Sequence, residues 1–567
     1  MFSRKSVFSI LLMGAAAVAL NAANPYLPLW EYIPDGEPYV FEDPDNPGKY
    51  RVYVYGSHDS EITQYCGREQ VVWSASVDDL NNWRYDGIIF ESKTDANGNL
   101  LNRDGRGDIL YAPDVTFTTD ENGKKTYYLY PNNQAGGRNG MIAKSDRPDG
   151  PFVVCNWSKN NPRVTDGILG FDPAVFVDDD GKVYGYWGFE KSWGAELDPE
   201  TMATVKKGTQ PVEDMVSARD QEGEFRFFEA SSIRKIDGMY VFVYSRWAGN
   251  GEFGLPETNY TLAYAYSKNP LGPFTYGGTI IDGRGRDTDD DGNTIHTAIP
   301  NGNTHGGIME INGQWYVFYH RQNGIDEYSR QAMVEPIDVQ VKDGKVIISE
   351  AEYTSMGFET DGLDPYKRYS AGIACYYTGP TPSYAEYPNR VYSGSYVAAT
   401  RADGLSYNGD PYDLSVNSNP VVNNTDGSLV GYKYFNFDST YGKKGLKLLM
   451  NIVPQGVKGK ITIYAGNPKK GGKKVGTIRI KKNMKQELTE VKTCVRKLKK
   501  YQGKQALFFA FSSATPEASI CEMHDFVFTR PYFAPISIWT GNGDSKFCPY
   551  NSLFPLLLSI LREVRDP

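Results

Sequence analysis

Ionisable side chains fall at comparable places in five separated stretches of the sequence. They are Glu37, with Asp35 beside it, in DGEPYVF; Asp114 in APDVTF; Asp172 in DPAVFV; Glu229 in EASSI; and His305 in HGGIME. Any one of these acids is readily explained as a strand cap or as the partner of an arginine. Gathered around one cavity, however, several carboxyls repel one another and their pKa values spread, so that one stays charged while another keeps its proton. Such a set does acid–base chemistry or holds a metal ion.

The fold must bring them together, and the surrounding text shows how. Each acid stands at or near the start of a segment of one design: a short apolar strand, a turn containing Gly, and a second strand rich in Tyr and Val. The segments are EPYVFEDPDNPGKYRVYVYGSHD from Glu37, APDVTFTTDENGKKTYYLYPN from Ala112, DPAVFVDDDGKVYGYWGFE from Asp172, EASSIRKIDGMYVFVYSRW from Glu229 and HGGIMEINGQWYVFYHRQ from His305. Apolar alternation on both sides of NPGK, ENGK, DDGK, IDGM and INGQ predicts hairpins. Three hairpins are followed by a strand ending in Ser and then a Pro/Phe or Trp strand: VVWSASVDDLNNWRYDG, MIAKSDRPDGPFVV and LAYAYSKNPLGPFTYGG. About four short strands per unit is the make-up of a propeller blade, so residues 24–350 are predicted to form a five-bladed β-propeller. In a propeller the first strand of each blade lines the channel, which would carry the five residues to one end of the axis.

The chain has 567 residues, too many for one ordinary core, so at least two domains are expected. Lys+Arg 60 against Asp+Glu 69 leaves a net charge of −9, which argues against a nucleic-acid partner. Five His and six Cys without a CxxC spacing argue against a Cys/His zinc site. Aromatic residues at 14%, with 58 Gly and 33 Pro, favour an all-β chain. Residues 1–23 read as a secretory signal peptide, with Arg4 and Lys5 before an apolar run from Val7 to Leu20 and small residues at Ala22 and Ala23. That run is shorter than the roughly 18–20 residues of a membrane span, so no span is expected in the mature chain and its place is secreted or periplasmic. Export permits disulfides, Cys494–Cys521 being the first pair to consider and free thiols the alternative.

From about Tyr366 the pattern changes. GYKYFNF, GLKLLMNIV, KITIYAG, KVGTIRI, TEVKTCV, QALFFAFSS and HDFVFTR read as short alternating strands, predicting a β-sandwich over residues 366–530. The tail, 531–567, continues neither pattern.

NPYLPLWEYIPDGEPYVF, YGSHD, YAPDV, FDPAVF, FFEASSI and NTHGG…FYHRQ, in that order, resemble the blade signatures of glycoside hydrolase family 43 over residues 24 to about 350. The resemblance implies a five-bladed propeller and inverting hydrolysis of arabinosyl, xylosyl or sometimes galactosyl linkages in plant polysaccharides. It implies a general base on the first blade, an orienting Asp that matches Asp172, and a general acid that matches Glu229. Inversion needs a carboxylate to deprotonate water and a protonated carboxyl on the other side of the sugar, roughly 6.5–9.5 Å apart. The base position departs from the family's Asp-Pro. The internal alignment of EPYVF with DPAVF places Glu37 ahead of Asp35, Asp35 being the chemically more familiar choice; Asp43 is a third candidate, on a hairpin turn. The resemblance also implies a hydrated calcium or similar ion beside His305, and no organic cofactor. The C-terminal strands resemble carbohydrate-binding module family 6. A propeller that only binds carbohydrate, or a β-galactosidase-type member of the family, is the alternative, and the GEP text is what favours the first. Oligomeric state is left open.

Around this set, Asp114, Arg246 and His320 are candidates for sugar contacts, together with His58 and Arg321, structural pairing being the alternative for each. Trp73, Trp187, Trp247 and Trp315 are candidate stacking platforms, with packing between blades the alternative for each. The acidic segment 282–294 lacks the closing Glu of an EF-hand loop and is expected as a surface loop near the cavity rim.

Overall fold

All five predicted hairpins form, and their turn glycines show why. Gly48, Gly123, Gly181, Gly238 and Gly313 all have φ between 78° and 82°, the left-handed region that a tight turn requires and a side chain disfavours. The computed structural model describes residues 23–60, 64–299, 302–323, 328–379, 394–399, 418–438 and 445–530. The signal-peptide expectation (residues 1–22 of it), the tail 531–567 and Cys548 lie outside the described residues.

The chain is all-β. Successive strands pair into antiparallel sheets. The first is β1 (Glu37–Glu42), β2 (Tyr50–Tyr55), β3 (Glu69–Ser76) and β4 (Asp79–Glu91). The second is β5 (Asp114–Thr119), β6 (Lys125–Tyr130), β7 (Ala143–Ser145) and β8 (Val153–Val154). The third is β9 (Ala174–Val177), β10 (Val183–Trp187), β11 (Trp193–Leu197) and β12 (Val212–Glu213). The fourth is β13 (Phe227–Ile236), β14 (Met239–Ala248), β15 (Thr258–Ser267) and β16 (Thr275–Asp282). A two-stranded ribbon, β17 (Arg286–Thr288) and β18 (Thr294–His296), precedes a three-stranded fifth sheet of β19 (Ile308–Ile311), β20 (Gln314–Gln322) and β21 (Arg330–Ile337).

Buried apolar side chains tie neighbouring sheets together. Phe41 and Tyr53 of the first cluster with Val115 and Leu129 of the second. Tyr130 clusters with Val175 and Val183 of the third, and Tyr186 with Ile233 and Phe242 of the fourth. Val241 and Leu262 cluster with Val317 and Tyr319 of the fifth. Val52 and Trp73 of the first cluster with Phe318 and Val334 of the fifth, so the contacts return to their start.

After a second ribbon, β22 (Val339–Lys342) and β23 (Lys345–Ile348), two larger antiparallel sheets follow. One joins β26 (Tyr396–Val397), β27 (Val421–Asn424), β34 (Cys521–Thr529), β29 (Lys447–Pro454) and β32 (Thr489–Cys494), with β24 (Tyr369–Ser370) also on β34. The other joins β25 (Tyr376–Thr378), β28 (Leu429–Asn436), β33 (Lys504–Ser513), β30 (Gly459–Ala465) and β31 (Lys473–Ile480). Phe509 and Phe526, one from each sheet, lie in the same apolar cluster as Val317 and Tyr319. The disulfide expectation is corrected: Cys494 and Cys521 are free, as are Cys66, Cys155 and Cys375. Cys494 pairs with Lys447 at one end of β29 and Cys521 with Pro454 at the other. A strand rises about 3.3 Å per residue, which puts the two thiols far beyond disulfide reach.

Candidate active site

Asp35, Asp172, Glu229 and His305 line one cavity of about 270 Å³, with Arg330, Cys66 and an aromatic wall around them. Three features of the backbone aim the acids. Asp35 (φ 61°) and Asp172 (φ 49°) both occupy the left-handed region, unusual for a residue with a side chain, and each lies two residues before its sheet's first strand, β1 or β9. Glu229 lies inside β13, where the pairing with β14 is irregular on both sides of it and Ala230 has φ 73°. That bulge turns the Glu229 side chain out of the pleat and into the cavity.

The three carboxyls differ in what surrounds them. Burial opposes charge on Asp35, yet its carboxyl is held below its ordinary value. Arg330 Nη1 is 3.2 Å from Oδ1, and Ser57 Oγ donates to Oδ2 at 2.5 Å. His320 holds the backbone: its Nδ1 accepts from the Asp35 N–H at 3.1 Å while Nε2 faces Asn303 Oδ1 at 3.2 Å. Burial depresses the imidazoles of His320 to about 3 and His305 to about 4, so both are neutral and Arg330 with Ser57 is what keeps Asp35 charged.

Glu229 has the opposite setting. Burial and the charge of Asp35 raise its carboxyl to about 8. Asp172 accepts from Asn132 Nδ2 at 2.8 Å and from the Ala230 N–H at 3.2 Å. Burial and the charges of Glu229 and Asp35 push the Asp172 carboxyl well above its ordinary value too; its two hydrogen-bond donors oppose that rise, which favours placing the proton of this mutually repelling pair on Glu229. A charged carboxylate, a protonated carboxyl and an orienting carboxylate thus face one cavity, the set that general base and general acid chemistry uses.

Of the two candidate bases, it is Asp35 that lines the cavity. Glu37 does not line the cavity: Arg234 Nη2 lies 2.6 Å from its Oε1, and Ser232 Oγ donates to the same oxygen at 3.0 Å. The motif alignment follows the proline, but the strands do not; Pro38 is inside β1 whereas Pro173 precedes β9. Asp43 accepts from the Asp45 N–H at its hairpin turn, away from the cavity. Asp114 is likewise outside the cavity, accepting from Tyr39 Oη at 2.7 Å and from the Val175 N–H at 2.6 Å, which makes it a clasp between sheets. Arg246 pairs with Glu252 at 2.8 Å, and His58 is held between Glu31 and Glu69. Arg321 donates to the Gly372 and Ala374 carbonyls.

None of Trp73, Trp187, Trp247 and Trp315 lines the cavity. Its aromatic wall is Tyr65, Tyr111, Phe171, Phe189 and Phe228, in which Phe189 packs against Phe171 and Phe228 while remaining 50% exposed. The 282–294 segment forms the β17–β18 ribbon, and Asp287 binds Lys470 and Asn467 rather than the cavity rim. Sequence reasoning missed Arg330, Ser57 and Asn132, which act on acids far away in the chain, and Phe189, whose only signal is its place at the end of WGFE after β10.

His305 Nδ1 is 3.5 Å from Asp172 Oδ2. Among the described residues no three His, Cys, Asp or Glu side chains are grouped to hold a metal ion. One imidazole is not the oxygen shell calcium takes, so the protein groups do not by themselves fit that ion.

A family model described as Glycosyl hydrolases family 43 matches residues 40–346. A xylosidase/arabinosidase of Thermoclostridium stercorarium is 34% identical over 457 residues, covering 76% of this chain and 86% of that one. An arabinoxylan arabinofuranohydrolase of Paenibacillus polymyxa is 27% identical over 70% of this chain and 62% of its own length. The solved structure of a glycoside hydrolase family 43 arabinoxylan arabinofuranohydrolase from Bacillus subtilis, in complex with cellotetraose, has a TM-score of 0.43 at 22% identity, over 90% of this chain and 97% of that one.

Proposed function

The chain belongs to glycosyl hydrolases family 43 and is a glycoside hydrolase; from that premise we propose an exported, inverting enzyme of plant cell-wall polysaccharide. It acts as an α-L-arabinofuranosidase or β-xylosidase, removing chain-end or side-branch sugars. The five sheets are read as the blades of a propeller, a reading supported by the apolar clusters that run from each sheet to the next and back to the first. The two C-terminal sheets, which share an apolar core, are read as a carbohydrate-binding-module-like β-sandwich. Residues 1–23 are the export signal, and an ion near His305 would need water to complete its shell.

The observation that carries the catalytic reading is that Asp35 and Glu229 face one cavity in opposite charge states. Asp35 takes a proton from water as the water attacks the anomeric carbon; Glu229 gives its proton to the departing oxygen; Asp172 keeps Glu229 protonated and oriented. A cavity this small, near the lower end of ligand sites, suits removal of a terminal or branching sugar better than cutting within a chain. The binding-only alternative drew on the GEP text, and the place of Asp35 in the cavity weighs against it.

Glu229→Ala tests the assignment. Its kcat on natural polymer should fall by about 10²–10⁴-fold. On aryl pentosides with good leaving groups, which need little protonation, most of the rate should return. Full activity of this variant on polymer would end the assignment of Glu229. A panel of nitrophenyl arabinofuranoside, xyloside and galactoside identifies the sugar.

A further inference from the structure

Tyr111, on the wall of the active-site cavity, is also the wall of a second hollow of about 580 Å³. Arg68, Asn102, Arg103, Asp104 and Gln134 line it further out. Its charges do not cancel. Asp108, also in its lining, is fully used: Arg138 binds it through Nε at 2.7 Å and Nη2 at 3.0 Å, and Asn133, Ser92 and Asn102 donate to it as well. Asp104 is exposed and accepts from the Arg106 N–H at 3.1 Å. Against that one carboxylate stand two guanidiniums. Arg103 is exposed and makes no ion pair among the described residues. Arg68 donates to the Gly107 carbonyl through Nη1, but its Nε is buried with no hydrogen-bond partner. That Nε is shut off from solvent, so what the hollow offers a ligand is the guanidinium's charge, which no ion pair among the described residues offsets. The hollow is therefore net positive on a chain of net charge −9.

We propose that this hollow receives the part of the glycan beyond the scissile bond, and that Arg68 and Arg103 select a carboxylate-bearing, uronate substituent on it. The proposal rests on the glycoside hydrolase reading of the cavity, with Tyr111 the side chain that lines both hollows. The planar guanidinium fork matches a carboxylate, whereas neutral hydroxyls would leave its charge uncompensated. Occupancy would also be felt at the reacting centre: Gln134 donates to Asn132 Oδ1, and Asn132 donates to Asp172.

The test is calorimetric, with the full chain carrying Glu229→Gln so that ligand is not cut. A xylo-oligosaccharide bearing a glucuronate branch is compared with the same oligosaccharide without it. At low salt the uronate form should bind about tenfold more tightly, the effect of one charge-assisted pair. High salt should erase most of the gap, because a partly exposed pair is screened. Adding Arg103→Gln, or Arg68→Gln, should shrink it to about twofold. Equal affinities, or a gap that survives both arginine substitutions, would overturn the proposal. Hydrolysis of neutral aryl pentosides by the unaltered enzyme is read separately: its absence overturns the hydrolase reading, while equal affinities for the two oligosaccharides overturn only the uronate assignment.

Discussion

Asp35 and Glu229 owe their opposite charge states to their neighbours. Asp35 shares Arg330 with Asp59, which Arg330 grips through Nε at 2.9 Å and Nη2 at 2.8 Å, while Glu229 has Phe228 beside it and a carboxylate nearby. The acid must be protonated, so kcat/KM should fall as pH rises through about 8, where Glu229 ionises. The base must be charged, and its lowered pKa keeps the rate up until pH falls below the ordinary aspartate range. Arg330→Met should move that acid limb to higher pH by removing the charge that holds Asp35 down. It also strands two buried carboxylates, at a cost of about 3–5 kcal/mol in stability, readable by denaturant unfolding.

At the scale of elements, position relative to the strand start decides which acid reaches the cavity. Asp35 and Asp172 each stand two residues ahead of a first strand with positive φ; Glu37 and Asp114 begin theirs and clasp neighbours instead. Gly307 belongs to that clasp, since a Cβ there would lie 2.7 Å from Glu37 Oε2 and 2.8 Å from Ser232 Oγ. Asp35→Asn should therefore lower kcat on aryl pentosides by about 10²–10⁴-fold. Glu37→Gln should mainly lower thermal stability, with kcat of the folded enzyme far less affected. The reverse ranking would restore Glu37 as the base. The hairpins were legible because turn glycines and two-residue alternation are local signals. So were Asp172, Glu229 and His305, each fixed in a distinctive motif. The choice between Asp35 and Glu37 was not, because it depends on where β1 starts, and Arg330 was not, because it meets Asp35 across 295 residues.

At the scale of the molecule, the segment between β24 and β25 is held by the fifth sheet, close in the chain to the residues around Asp35. Arg321, fully buried in β20, donates to Gly372 at 2.5 Å and Ala374 at 2.7 Å, and binds Gln331 of β21 at 2.8 Å. His320 and Arg330, the two residues that set Asp35, are the immediate chain neighbours of this pair. Arg321→Met should therefore lower the unfolding temperature and reduce kcat on aryl pentosides with little change in KM, because it loosens the base rather than the sugar site. Loss of stability with kcat unchanged would show that the C-terminal sheets brace the fold and not the chemistry.

As the proposed base, Asp35 acts on water and not on the sugar, so the reaction passes through one displacement. Proton NMR of the first product released from a nitrophenyl pentoside, recorded before mutarotation, tests it most directly. The anomeric configuration should be opposite to that of the substrate. A first product of unchanged configuration would require a covalent sugar on one of these carboxylates and would rule out Asp35 as a base acting on water.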